Sequence, residues 1–247
     1  AVGIDVSCVD PGYVAVSATD DARLKFQVEC GDTKYNYDLP GDGTPIIVPI
    51  NMGDGPYTFR VMQNTSGNNY VELFSVIDNV NLSSETAPYL VPNVFVNYNE
   101  SSAVVAKARE LAQGAANQGD VVRNIYQWVV DNITYDHDKA AQLASATGYV
   151  PDPDATLAAG TGICFDYASL GAAMLRSLGI PCQVITGYVS PDDVYHAWNM
   201  VYIDGEWISV EISIKPNSWT RVDLTFAASG AASTIGDGTS YTDRYTY

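Results

Sequence analysis

The sequence predicts an α+β protein in which a small all-β, sandwich-like domain precedes a domain of helices and strands. Over residues 1–96, short runs rich in Val, Ile, Tyr and Phe alternate with Gly- and Asn-rich turns, which is typical of a sandwich or barrel. Over residues 97–230, segments with helical spacing come first and strand-like runs follow. Residues 231–247 are rich in Gly, Ser, Thr and Tyr, and we expect a poorly packed tail there.

The strands expected in the first domain are runs in which β-branched and aromatic residues are enriched between turn clusters. They are Tyr13–Ser17, Leu24–Val28, Ile46–Ile50, Tyr57–Met62 and Tyr70–Ile77. No convincing helical period occurs among them. Two prolines within residues 88–99 then interrupt the pattern, so a linker is predicted between the two domains.

Helices open the second domain. One is expected over Ser102–Gln113, which is rich in Ala and other helix formers. A second is expected over Val121–Asp131, with Asp120 as its N-cap residue and one apolar face. A third is expected within Thr161–Gly179, because an apolar stripe runs along it and a Gly and a Pro end it.

Strand-like runs follow the third helix and predict a sheet. They are Gln183–Val189, Val194–Ile203, Trp207–Ile214 and Trp219–Phe226. The dipeptide Asp204-Gly205 between the second and third runs predicts a two-residue hairpin turn.

Charge excludes several classes of function. The 247 residues include 12 Lys and Arg and 29 Asp and Glu, which gives a net charge of −17 at pH 7. A negative field repels phosphate backbones and anionic lipids, so no nucleic-acid partner and no membrane-surface partner is expected. No apolar stretch is long enough to insert into a membrane. The chain has four Cys and two His but no Cys-x-x-Cys pair, so no zinc site is expected. No cofactor is expected either.

Cys164 and His196 are the candidate reactive pair. Cys164 stands where a loop with Gly160 and Gly162 leads into the third helix, and free N–H groups at a helix start favour a thiolate and an oxyanion. His196 lies in a predicted strand and is a natural general base for a thiol. Asp166 is interpreted as a carboxylate that complements the helix dipole.

Two acids are candidates for orienting the imidazole of His196. A two-residue turn at Asp204-Gly205 pairs Trp198 with Glu211, which places Glu211 on the sheet face that carries His196. Asp223 reaches the same face if the next turn has three residues. The spacing alone leaves both open.

The sequence around these residues is similar to that of a known family. The stretches Gly162–Ala168, Met174–Pro181 and Tyr195–Asn199, in this order, resemble the transglutaminase-like superfamily. The resemblance covers roughly Asn99–Ser229. It implies a papain-like cysteine core with Cys164 as nucleophile and His196 as base.

The resemblance also implies an acid. The stretch Trp219–Phe226 matches the acid strand of the family best, which makes Asp223 the expected third residue. Trp207–Glu211 intervenes, however, where shorter members carry their acid, so Glu211 remains a rival.

The function expected from the resemblance is that of a cysteine protease or amidase that works through a thioester acyl-enzyme. A protein-crosslinking transglutaminase and a non-catalytic surface binding protein are the alternatives. The start at Ala1 without Met, the scarcity of Lys and a candidate Cys8–Cys30 disulfide favour a secreted or cell-surface bacterial protein. By analogy, its partner is expected to be a peptide or protein amide, including cell-wall peptides.

Overall fold

The computed structural model describes residues 1–189, 194–215, 218–225 and 241–247. The chain divides into two compact units, Ala1–Val94 and Phe95–Tyr247. None of the helices among the described residues is both long and apolar enough to cross a membrane.

Two antiparallel sheets make up the first unit. Its strands are β1 (Val2–Asp5), β2 (Tyr13–Ala18), β3 (Leu24–Cys30), β4 (Thr33–Leu39), β5 (Ile46–Pro49), β6 (Gly55–Ser66) and β7 (Asn69–Val80). One sheet has the order β1-β2-β5 and the other has the order β4-β3-β6-β7. A short 3-10 helix, Ala87–Tyr89, follows them.

Alternating burial confirms the sandwich-like architecture of this unit. Along β2 and β3 every second residue is buried, so each sheet has one apolar face. The rings of Phe26 and Phe59 stack in this core with their centroids 6.2 Å apart. Strands β1 and β4 were not expected, because Gly, Asp, Asn and Lys interrupt their apolar pattern.

The second unit begins with helices. They are α1 (Ala103–Leu111), α2 (Gln118–Asn132), α3 (His137–Leu143), α4 (Pro153–Ala159) and α5 (Cys164–Ser177). The expected N-cap of α2 is wrong: Asn117 holds that position, and its Oδ1 accepts from the Asp120 N–H at 2.9 Å. The third predicted helix is shorter than expected, because Thr161–Gly162 forms a strand, β9, parallel to β8 (Thr134–Tyr135).

An antiparallel sheet completes the second unit. Its strands are β10 (Cys182–Val189), β11 (Val194–Ile203), β12 (Glu206–Lys215), β13 (Ser218–Thr225) and β14 (Tyr241–Thr246), in the order β13-β12-β11-β10-β14. The predicted two-residue turn is confirmed, since Ile203 pairs with Glu206. Asp204 and Gly205 both have positive φ, 53° and 85°, as such a turn requires.

The end of the chain differs from the expected poorly packed tail. Residues 241–246 form β14, which pairs with β10. The alternation of Tyr and Thr with charged residues is typical of an edge strand. The Gly- and Ser-rich residues before it favoured an irregular tail instead, so the strand was not predicted. Residues 226–240 lie outside the described part of the chain.

Helix α5 occupies the centre of the second unit. Residues 166–176 are all buried, and α5 packs against α1, α2 and α4 as well as against β10 and β11. The largest side chains of this core that are almost fully buried belong to α2, to α5 and to the residue that follows α2: Ile125, Tyr126, Ile133, Leu170, Met174 and Leu175. A helix buried on all sides holds its first turn in a fixed place, and that turn carries Cys164.

Candidate active site

Cys164 is the first residue of α5, and its position follows from the strand before it. Strand β9 pairs with β8, and Ile163 then leaves the strand in an extended conformation (φ −98°, ψ 176°) before the helix begins. Gly162 has to be glycine, because a Cβ there would lie 2.7 Å from the Cβ of Asp166. The thiol is therefore fixed at the N-terminus of a buried helix.

The structure brings His196 to the same place. His196 lies on β11 opposite Gly187 of β10, and its side chain lines a cavity of about 20 Å³ together with Cys164. Tyr126 and Trp198 also line this cavity. A cavity of this size admits about one water molecule.

Asn199 fixes β11 to the helices. Its side-chain amide donates to the backbone oxygens of Ala168 on α5 and Gln183 on β10, both at 3.0 Å. Its Oδ1 accepts from the Tyr126 hydroxyl on α2 at 2.7 Å. Since Asn199 is 2% exposed, these three bonds are shielded from water. They set the position of the His196 strand relative to the Cys164 helix.

Burial makes the neutral forms of the pair the resting state. Burial raises the pKa of the Cys164 thiol, while the backbone N–H groups of Ala197 and Phe165 act in the opposite direction. Burial also lowers the pKa of His196 to about 4. At neutral pH the imidazole is therefore unprotonated and able to accept a proton from the thiol.

Comparison with known proteins identifies the family of part of the chain. The family model of the transglutaminase-like superfamily matches residues 105–212, which run from α1 through α5 into β12. This part of the chain belongs to the transglutaminase-like superfamily. The transglutaminase-like segment contains Cys164, His196 and Glu211, whereas Asp223 lies beyond its end.

Two curated relatives match parts of the chain of about this length. Cytokinesis protein 3 of Schizosaccharomyces pombe is 33% identical over 120 residues, which are 43% of this chain and 12% of that protein. The Kyphoscoliosis peptidase of Mus musculus is 31% identical over 112 residues, 41% of this chain and 16% of that protein. A crystal structure of a TGase has a TM-score of 0.41 and 23% identity, covering 52% of this chain and 37% of that one. The chain thus spans a small part of each curated relative.

The two candidate acids lie on neighbouring strands of the second unit. Glu211 of β12 is paired with Asp223 of β13. Strands β11 and β12 are paired as far as Asn199 and Val210, so the pairing of Trp198 with Glu211 stays a prediction. The side chains of Glu211 and Asp223 lie outside the described part of the structure, so the identity of the acid stays a prediction.

Asp166 has more contacts than the expected interaction with the helix dipole. Its side chain has no exposed surface and accepts from the backbone N–H of Ile163 at 2.9 Å. It also accepts from Lys139 Nζ at 2.7 Å and from the Tyr149 hydroxyl. Burial lowers the pKa of Lys139, but its bonds to Asp166 and Tyr149 outweigh this effect and raise that pKa overall.

Sequence reasoning missed Lys139 and Tyr149. Lys139 lies in a polar stretch without an apolar period, and Tyr149 lies in a loop, so neither carried a signal of burial. The Asp152-Pro153 pair, an N-cap residue followed by proline, was a usable signal for the start of the unpredicted helix α4.

Other candidate residues do not join the site. Cys8 and Cys30 are free, so the candidate disulfide is not formed in the structure. His137 is exposed, and its ring contacts Tyr135 edge-on at 4.9 Å. Within the described ranges, no group of three or more His, Cys, Asp or Glu is placed to hold a metal ion.

Proposed function

We propose that the second unit is a cysteine hydrolase that cleaves amide bonds of peptides or proteins. The observation that carries the proposal is the shared cavity of Cys164, at the start of α5, and His196, on β11. A thiol at a helix start next to an unprotonated imidazole is the arrangement that nucleophilic catalysis on a carbonyl needs.

The reaction begins with proton transfer. His196 takes the proton of the Cys164 thiol, and the thiolate attacks the carbonyl carbon of the amide. The backbone N–H groups of Phe165 and Ala197, which face the sulfur, are candidates to donate to the oxyanion. The C–N bond then breaks, and His196 returns its proton to the leaving amine, which leaves an acyl thioester on Cys164.

Water is the favoured second reactant. His196 removes a proton from water, the hydroxide attacks the thioester carbonyl, and the acid is released as the C–S bond breaks. The Cys164 sulfur then takes the proton back from His196, which restores the neutral pair. The cavity beside Cys164 and His196 has room for about one water molecule, which is compatible with hydrolysis.

Two observations favour Glu211 over Asp223 as the acid that orients His196. Neighbouring strands lie about 4.8 Å apart, and β12 is next to the His196 strand while β13 is one strand further away. The family match also includes Glu211 and ends before Asp223. We therefore assign this role to Glu211, although the acid-strand motif in the sequence favoured Asp223.

Activity measurements on variants test the assignment. Glu211→Gln is expected to lower kcat roughly 10²-fold or more, with a smaller effect from Asp223→Asn. The reverse order would return the role to Asp223. Both variants change one carboxylate to its isosteric amide, so each is the control for the other.

The hydrolase proposal itself is tested with amide substrates. A panel of fluorogenic peptides, casein and cell-wall peptides is incubated with the wild type and with Cys164→Ala and His196→Gln. We expect amide cleavage in the wild type only. A labelled primary amine in the same assay reports transfer: Cys164-dependent incorporation of the amine in preference to hydrolysis would show a crosslinking enzyme. Absence of both reactions across the panel would favour the binding-protein alternative.

A further inference from the structure

The segment between β8 and α4 lies against the start of α5 without an apolar core of its own. Helix α3, which forms its first half, has no buried residue. Residues 144–148 are all exposed. A helix of seven residues does not form stably by itself in water. Its position therefore depends mainly on polar contacts, together with the ring contact of Tyr149 with Phe165, whose centroids lie 6.5 Å apart.

Both ends of the segment meet one carboxylate. Lys139 Nζ of α3 lies 2.7 Å from Asp166 Oδ2, and the Tyr149 hydroxyl donates to Asp166 Oδ1. The ammonium of Lys139 also lies 4.8 Å from the centre of the Tyr149 ring, within cation–π range. The Asp166 side chain is 0% exposed and that of Lys139 is 31% exposed. Burial of a carboxylate is costly unless such partners form hydrogen bonds with it.

The same carboxylate lies close to the thiol. Asp166 is two residues after Cys164 on α5, and its bond to the Ile163 N–H ties it to the residue just before Cys164. A negative charge here opposes a thiolate at Cys164, and the ammonium of Lys139 offsets that charge.

We propose that Lys139 and Tyr149 are positioning residues that, with Asp166, form a latch holding residues 136–149 beside Cys164 and balancing the carboxylate charge next to the thiol. The proposal rests on the proposed function only in taking Cys164 as the reactive thiol.

The titratable groups around the thiol come from each element packed near it. They are Asp166 and Tyr167 on α5, Tyr135 on β8, His196 on β11 and Tyr126 on α2. Among these neighbours, Asp166 forms an ion pair with Lys139, and this ion pair compensates the charge of its carboxylate directly.

The pH dependence of Cys164 alkylation tests the latch. Iodoacetamide labelling is followed by peptide mass spectrometry, so that Cys164 is measured separately from Cys8, Cys30 and Cys182. In Lys139→Met the midpoint of the labelling profile is expected to rise by about one pH unit, which slows labelling about tenfold below the midpoint. In Asp166→Asn the midpoint is expected to fall, and in Lys139→Arg it is expected to stay near that of the wild type.

Lys107→Met is the matched control. Lys107 has the same two kinds of contact, an ion pair with Glu110 at 2.7 Å and a ring contact with Trp128 at 5.3 Å, but on the surface of α1 and α2. Its midpoint should equal that of the wild type. A loss of structure alone would move Lys139→Met and Asp166→Asn in the same direction, and that result would overturn the proposal.

Hydrogen exchange supplies the second measurement. Tyr149→Phe keeps every charge, so we expect faster exchange of the α3 amides with little change in the alkylation midpoint. Unchanged α3 exchange in both Tyr149→Phe and Lys139→Met would refute the holding role. An unchanged midpoint in Lys139→Met would refute the charge role. Neither measurement needs turnover, so each remains decisive even if no amide substrate is cleaved.

Discussion

Replacement of Asn199 by Ala is expected to destabilise the second unit strongly. The change removes three buried hydrogen bonds, two donated by the Asn199 amide and one accepted from Tyr126. At about 1 kcal/mol for each bond, the free energy of unfolding should fall by about 3 kcal/mol. Tyr126→Phe removes only the bond from the hydroxyl and should lower it by about 1 kcal/mol.

Tryptophan fluorescence during urea unfolding measures this loss of stability in the second unit. All four tryptophans (Trp128, Trp198, Trp207 and Trp219) belong to the second unit, so the signal does not include the unfolding of the first. Asn132→Ala, which removes one exposed bond to the Trp128 oxygen, is the control and should change stability by less than about 0.5 kcal/mol. A loss below about 1 kcal/mol in Asn199→Ala would refute the role given to this side chain.

Three further predictions concern single residues. Gly171→Ala should destabilise the second unit by about 1–3 kcal/mol in the same urea assay, because its Cβ would lie 3.0 Å from the Tyr126 hydroxyl and 3.1 Å from Asn199 Oδ1; wild-type stability would show that the neighbours yield easily. Asn117→Ala should lower stability by about 1 kcal/mol and Asn117→Asp should lower it less, since Asp keeps a capping oxygen; equal losses would contradict the cap. The pKa of His196 is about 4 in the folded protein and 6.5 as an ordinary value, so the unfolded chain binds more protons between these pH values. This contribution, at most about 3 kcal/mol, is complete above pH 6.5 and is lost as the pH falls through about 4. Urea titrations across this range should show the loss in the wild type and a weaker pH dependence in His196→Gln.

The strongly patterned parts of the fold were predictable from the sequence. The apolar face of α2, the stripe of α5 and the Asp204-Gly205 turn each repeat a short-range signal that tertiary contacts reinforce. Cys164 and His196 were identified because a thiol at a helix start and a lone strand histidine are unusual in combination. The predictions of secretion, a bacterial source and cell-wall substrates depend on composition and analogy, and they stay predictions.

The missed cap of α2 depends on a local backbone conformation, and the other missed parts depend on long-range contacts. Asn117 caps α2 although Asp120 is an equally good capping residue by type, and only the backbone conformation of Asn117 decides between them. Lys139 and Tyr149 owe their positions to a carboxylate 27 and 17 residues away, which no local pattern encodes. Strand β14 pairs with β10 across more than fifty residues, and such pairing cannot be read from either strand alone.

The placement of β14 has a consequence for the order in which the chain folds during synthesis. Val184 exchanges both of its main-chain hydrogen bonds with Tyr247 at 2.8 Å, and the Arg176 guanidinium on α5 donates to the main-chain oxygen of Tyr247 at 2.9 Å. In the sheet of the second unit, the edge beside β10 is therefore open until residue 247 has emerged from the ribosome. The first unit, whose strands all precede residue 81, has every partner available much earlier and is expected to fold first.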